Sequence, residues 1–124
     1  MPFVTVITTQ AFNAAQKKAL LQASSDTIQT VLKAPVESIR ITLHEVGRGD
    51  YICAGSFDAP MVLFDIDLIE GRSEAMKAEL IAELSRVAEE SLGVSQEHVR
   101  TRLCDFPSMN MGMAYGKTAK QAGR

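Results

Sequence analysis

The run Pro2-Phe3-Val4-Thr5-Val6-Ile7-Thr8 is β-branched and apolar, which predicts a strand over 2–8. The period then lengthens. Ala14 to Leu32 is rich in Ala, Gln, Lys and Leu and carries Leu20, Ser24, Ile28 and Val31/Leu32 on one side, so a helix is expected, with Asn13 as its N-cap. Lys33-Ala34-Pro35 ends it, because proline cannot continue the hydrogen bonding and turns its predecessor away from helix. Period two returns over Ser38 to Val46, where Ile39, Ile41 and Leu43 alternate with Arg40, Thr42 and His44. One face of that strand packs on the helix and the other carries Arg40. Gly47-Arg48-Gly49-Asp50 reads as a turn, Tyr51-Ile52-Cys53 as a short extended piece and Gly55 to Pro60 as a connection.

The same pattern then starts again. Val62 to Ile69 is a strand, and Ser73 caps a helix whose stripe is Met76, Leu80, Leu84, Val87/Ala88 and Ser91/Leu92. His98 to Asp105 is the last strand. A slide of 60 positions pairs Ala15 with Ala75, Lys17 with Lys77, Leu20 with Leu80, Arg40 with Arg100 and Leu43 with Leu103. The chain is therefore an internal duplication of a strand–helix–strand unit, and a right-handed crossover makes the two strands of each unit parallel neighbours. The expected class is α+β, with two tandem β-α-β repeats forming a four-stranded mixed sheet and both helices on one face. We expect one pseudo-symmetric domain over 1–124, with repeats at 2–58 and 61–116 and a tail at 117–124.

Composition narrows the partners. The 124 residues include 46% hydrophobic and 23% charged residues, ordinary globular values, and a formal charge of −2 argues against a nucleic-acid partner. Cys53 and Cys104 lack CxxC or Cys/His ligand spacing, so no disulfide framework and no metal site is expected, and a cytoplasmic location fits. Neither thiol has the setting of a nucleophile, and both are expected to be small buried hydrophobes. There is no secretory leader pattern and no apolar run of membrane-spanning length, so no membrane partner is expected.

The chemistry lies where the copies disagree. Removal of Met1 before a small residue would leave Pro2 as the amino terminus, a secondary amine at the end of a strand. An α-amino group titrates near ~7.7–8.0, and burial or a neighbouring cation lowers that, giving a base that is neutral near pH 7. The simpler reading of Pro2 is a strand's first residue, where a missing N–H does no harm. Its partner in the second repeat, Val62, is internal and has no amine. Conversely Phe12 in the first repeat pairs with Arg72 in Glu70-Gly71-Arg72-Ser73. A cation at the positive end of a helix is mildly unfavourable, which gives Arg72 a functional look. Half one thus keeps the amine and half two the loop arginine, while Arg40 and Arg100 stand in both.

In their order and duplication, Pro2 opening a strand, the Glu70-Gly71-Arg72-Ser73 turn, Ala34-Pro35-Val36-Glu37-Ser38-Ile39-Arg40 and a glycine-bearing tail resemble the tautomerase superfamily over nearly the whole chain. The nearest resemblance is to fused 4-oxalocrotonate tautomerases. It implies cofactor-independent keto–enol isomerisation of a small carboxylic acid by a homotrimer with sites at subunit interfaces. It also implies that Pro2 is catalytic, that Arg72 grips the substrate, and that Arg40 or Arg100 is a second substrate-binding arginine. Tyr51 and Met111 match an aromatic position in the pocket wall, from which Met111 departs. The macrophage migration inhibitory factor branch is similar at Lys33, before the helix–strand proline, and at Asn110 late in the chain. The simpler reading of Lys33 is a helix C-terminal cation, and Asn110 is equally a turn former.

Rival chemistries fit less well. Hydratases and dehalogenases of the superfamily use two arginines around the glycine turn and a late carboxylate, but Ile69 stands at the first arginine position and Met109 to Tyr115 holds no acid. A decarboxylase would also need a placed acid. The remaining alternative is a non-catalytic oligomeric module that binds a small molecule.

Overall fold

Both helices begin on side-chain caps that free-standing sequence motifs supply. In the computed structural model, which describes residues 1–9 and 12–124, the first strand β1 is Phe3–Thr9 and helix α1 is Ala14–Leu32. The Asn13 side chain accepts from the Gln16 amide at 2.8 Å while the Asn13 amide donates back to the Gln16 side chain at 3.0 Å, a closed capping box. Helix α2, Glu74–Leu92, starts where the Ser73 hydroxyl accepts from the Met76 amide at 3.1 Å. Both helices end on a left-handed residue, Gly93 at φ 69° and its repeat partner Lys33 at φ 54°. Glycine adopts that conformation freely, whereas a side chain there carries about 1–2 kcal/mol of steric cost.

Strand β2, Arg40–Val46, begins later than the alternation predicts, because Val36–Ser38 winds into a 3-10 turn closed by the Ile39 amide on the Val36 carbonyl at 3.2 Å. The connection expected at Gly55 to Pro60 is partly a hairpin. Strands β3, Ile52–Cys53, and β4, Ser56–Phe57, pair antiparallel across Ala54 and Gly55, both at positive φ, as a two-residue hairpin turn requires. Strand β5 is Val62–Ile69 and β6 is Val99–Phe106; His98 belongs to the preceding 3-10 turn.

The main sheet runs β2-β1-β5-β6, parallel at both outer pairs and antiparallel between β1 and β5. Both helices cover one face. There Val4, Val6, Phe64, Ile66 and Leu68 meet Leu20, Ile28, Leu80 and Leu84 in one buried cluster. Each such leucine contributes about 1.5–3 kcal/mol by leaving water. Two ion pairs at equivalent repeat positions, Lys17–Glu45 and Lys77–Asp105, tie each helix to the strand beside it. The opposite face has no helix, and Phe3, Ile7, Leu63 and Ile69 stand half-buried on it beside Asp65, which pairs with Arg102 at 2.7 Å.

After β6 the chain folds back. The Ala119 amide donates to the Met111 carbonyl at 2.7 Å and the Arg124 amide to the Ala119 carbonyl at 2.8 Å. Among the described residues no helix is long and apolar enough to cross a membrane.

Candidate active site

Antiparallel pairing of β1 with β5 sends the starts of the two repeats to opposite ends of the sheet. At one end lie the heads of β1 and β2 and the tails of β5 and β6. Parallel register sets Phe3 opposite Arg40, and the Arg40 amide donates to the Pro2 carbonyl at 3.2 Å. Beyond the tail of β5, the Glu70 amide donates to the Phe106 carbonyl at 2.9 Å, and Gly71 at φ 119° makes the turn that brings Arg72 back. That backbone conformation is open to glycine and strained for other residues.

Arg72 is held from behind. Its Nη1 donates to the Ile69 carbonyl at 3.0 Å, while its Nε is buried without a hydrogen-bond partner among the described residues. Burial lowers the Arg72 guanidinium below its ordinary value, and the charge of Asp105 opposes that shift. Asp105 is itself paired with Lys77.

The amino group at this end is that of Met1. Met1 is only 4% exposed and packs with Met111 and Ala119, with Phe3, Ile69, Phe106 and Met113 around them. Its amine is lowered from 8.0 to about 6, first by burial and then by the positive charges of Arg124, Arg72 and Arg40. Pro2 is fully buried directly behind it. A pocket of about 490 Å³ opens against Met1 and is lined by Arg40, Arg124, Glu37, Ser38 and Phe3. This end therefore gathers an amine that is largely neutral at pH 7, three cations and an apolar wall. Such a set can take up and return a proton beside a bound anion.

Of the residues singled out in the sequence, Pro2, Arg40, Arg72 and Met111 come together here. Within one chain Arg100 does not: it faces Leu63 at the far end, where it lines a hollow with Tyr51, and its Nη1 donates to the carbonyls of Glu97 and Val99 at 2.7 and 3.0 Å. The Tyr51 hydroxyl is raised above its ordinary value, first by its hydrogen bond with Cys53 and then by burial, with Arg100 acting in the opposite sense. Lys33 caps α1 outside the pocket lining, and the Asn110 amide closes a turn on the Pro107 carbonyl at 2.8 Å. Cys53 and Cys104 are both exposed, contrary to the expectation of buried thiols: Cys53 sits in the projecting hairpin and Cys104 on the helix-free face of β6. Arg124 and Glu37 were not singled out from the sequence. The tail reaches the pocket only through its backbone fold, and no local pattern marks it.

Comparison with known proteins follows the same lines. A family model described as "Tautomerase enzyme" matches residues 63–119. The 2-hydroxymuconate tautomerase of Comamonas testosteroni is 38% identical over 64 residues, 52% of this chain and 100% of that protein. A probable tautomerase of Listeria innocua is 40% identical over 55 residues, 44% of this chain and 90% of that one. The crystal structure of Pt0534 inactivated by 2-oxo-3-pentynoate superposes with a TM-score of 0.96 and 45% identity, covering 98% of this chain and 99% of that chain. A fused 4-OT solved as a symmetric trimer gives a TM-score of 0.95 and 40% identity over 98% and 99% of the two chains. A member of the cis-3-chloroacrylic acid dehalogenase family, at a TM-score of 0.85 and 19% identity, shares the fold.

Proposed function

The chain belongs to the tautomerase family and is an isomerase of the keto–enol kind. From that premise we propose that it acts on a small 2-oxo or enol carboxylic acid, with the amine of Pro2, freed by loss of Met1, as its base and acid. The observation that carries this reading is the terminal amine at the head of β1, lowered to about 6 by burial among Arg124, Arg72 and Arg40. A proline amine one residue further in starts at the same head of β1, close to the same cations. Loss of Met1 also opens the space that its side chain fills beside Ile69, whose carbonyl orients Arg72.

The steps balance with one proton. Pro2 nitrogen takes the enol hydroxyl proton, the O–H electrons become the new carbonyl bond, and the carbon–carbon double bond takes a proton at carbon from the Pro2 ammonium. Arg72 offers its unpartnered Nε to the developing enolate or the carboxylate, and Arg40 holds the carboxylate end. Only a proton moves, so the reaction needs no redox or carrier cofactor. Residues 1–124 act as one domain, in a homotrimer with its sites at subunit interfaces; the uncovered sheet face and the trimeric fused relative support that assembly.

Ketonisation of an enol 2-oxo acid, followed by absorbance, tests the reading. Pro2→Ala lowers kcat/KM by about 10²-fold, the low end of acid–base contributions because a primary amine remains. Since only the neutral amine is a base, the wild-type rate rises with pH along a limb below the ordinary α-amino range of about 7.7–8.0. Unchanged turnover in Pro2→Ala contradicts the assignment.

A further inference from the structure

The second repeat has its own version of the Pro2 end, and that version has lost its proton chemistry while keeping a cavity. At the head of β5 the position of Pro2 is held by Val62, inside the chain, and the position of Arg72 by Phe12. Yet Arg100 stands opposite Leu63 just as Arg40 stands opposite Phe3. Two neighbouring hollows lie there, and Pro60 and His98 line both. The smaller, about 180 Å³, is lined by Arg100, Tyr51, Cys53 and Leu63. The larger, about 390 Å³, is lined by Phe12, Leu92, Val94 and Thr9.

We propose that this end is a second, non-catalytic ligand site for a small monocarboxylate with an apolar or aromatic body. The carboxylate sits on the Arg100 guanidinium, and the body lies past His98 and Pro60 against Phe12, Leu92 and Val94. Arg100 spends its Nη1 on two backbone carbonyls, which fixes the plane of the guanidinium and leaves its other donors for an anion. Two acids border the site. Asp58 accepts from the Gly49 amide through Oδ1 at 2.8 Å, and Glu97 holds Arg100 through its backbone carbonyl; both keep a carboxylate near the site. With a single guanidinium, and phenylalanine where the other end has Arg72, a second carboxylate would lie against carbon without a partner. A dicarboxylate is therefore disfavoured. The assignment does not depend on Pro2 acting as a base.

The chain has two histidines, so a His44→Gln variant assigns the ring signals of His98 by NMR in the full-length protein. Titration with phenylacetate is expected to shift the His98 signals to saturation. The curve is unchanged in Arg40→Ala and weakened at least about tenfold in Arg100→Ala, since a charge-assisted pair contributes about 1.5–3 kcal/mol. Arg100→Lys, which keeps the charge, retains part of the affinity. Three results would overturn the proposal: His98 signals that do not move with phenylacetate, a curve lost in Arg40→Ala but kept in Arg100→Ala, or adipate saturating them at lower concentration than phenylacetate.

Discussion

Ser24 and Leu84 occupy the same position of the two helices, and both are fully buried, but only the leucine is matched to its surroundings. Among the described residues the Ser24 hydroxyl has no hydrogen-bond partner, and neither has the buried hydroxyl of Thr8. A buried polar group left unpaired costs about 1–3 kcal/mol, and serine is also the poorer helix former. Ser24→Ala is therefore expected to raise stability by about 1 kcal/mol, seen as a higher urea midpoint at unchanged slope; a lower midpoint would mean that the hydroxyl has a partner in solution. At this scale the sequence spoke through differences between its copies. Pro2 against Val62 and Phe12 against Arg72 marked two candidate site residues that no single-copy motif would have separated from ordinary strand and helix starts. Arg124 was invisible, since only the backbone fold of the tail, from Met111 to Ala119 to Arg124, carries it to the amine.

Among the elements, the decisive one is the antiparallel step between β1 and β5. Hydrophobic period alone gave four strands, two helices and the parallel pairing inside each repeat, because a crossover of one hand permits little else. The period did not by itself give the direction in which the repeats meet, which depends on tertiary packing of one half against the other; the expected mixed sheet did, since two parallel pairs make one only by meeting antiparallel. That direction separates the two strand arginines within one chain: Arg40 shares an end with Pro2, and Arg100 lies at the other. Arg40→Ala is expected to lower kcat/KM for the acid substrate by about 10–100-fold, the worth of a charge-assisted hydrogen bond, while Arg100→Ala changes it by less than about threefold. Equal losses in both variants, measured under the same steady-state conditions, would mean that the far arginine reaches the working site from another chain. The 3-10 turns before β2 and β6 were also missed. They are closed by backbone hydrogen bonds over two or three residues, too short to leave a period.

For the whole molecule, a sheet with helices on one side leaves a face that an isolated chain would expose. Phe3, Ile7, Leu63 and Ile69 stand on it with Thr5, Asp65 and Asp67 between them, a mixed surface of the kind that self-association covers. Light scattering is expected to give about three times the 13.5 kDa chain mass, and Ile7→Lys, which places a charge on that face, to shift the particle toward a single chain. A monomeric wild type would remove the interface from the account of the site.

Everything catalytic rests on the amine at the head of β1 being free, buried and neutral. An acetylenic 2-oxo acid such as 2-oxo-3-pentynoate tests that directly, because a neutral amine adds to its activated triple bond whereas an ammonium does not. Pt0534, which shares 45% identity with this chain, is inactivated by that compound. Peptide mass mapping after incubation is expected to find Met1 absent and one adduct per chain on Pro2, formed in step with loss of tautomerase activity. An adduct confined to the exposed Cys53 or Cys104, or full activity with Met1 still in place, would contradict the account.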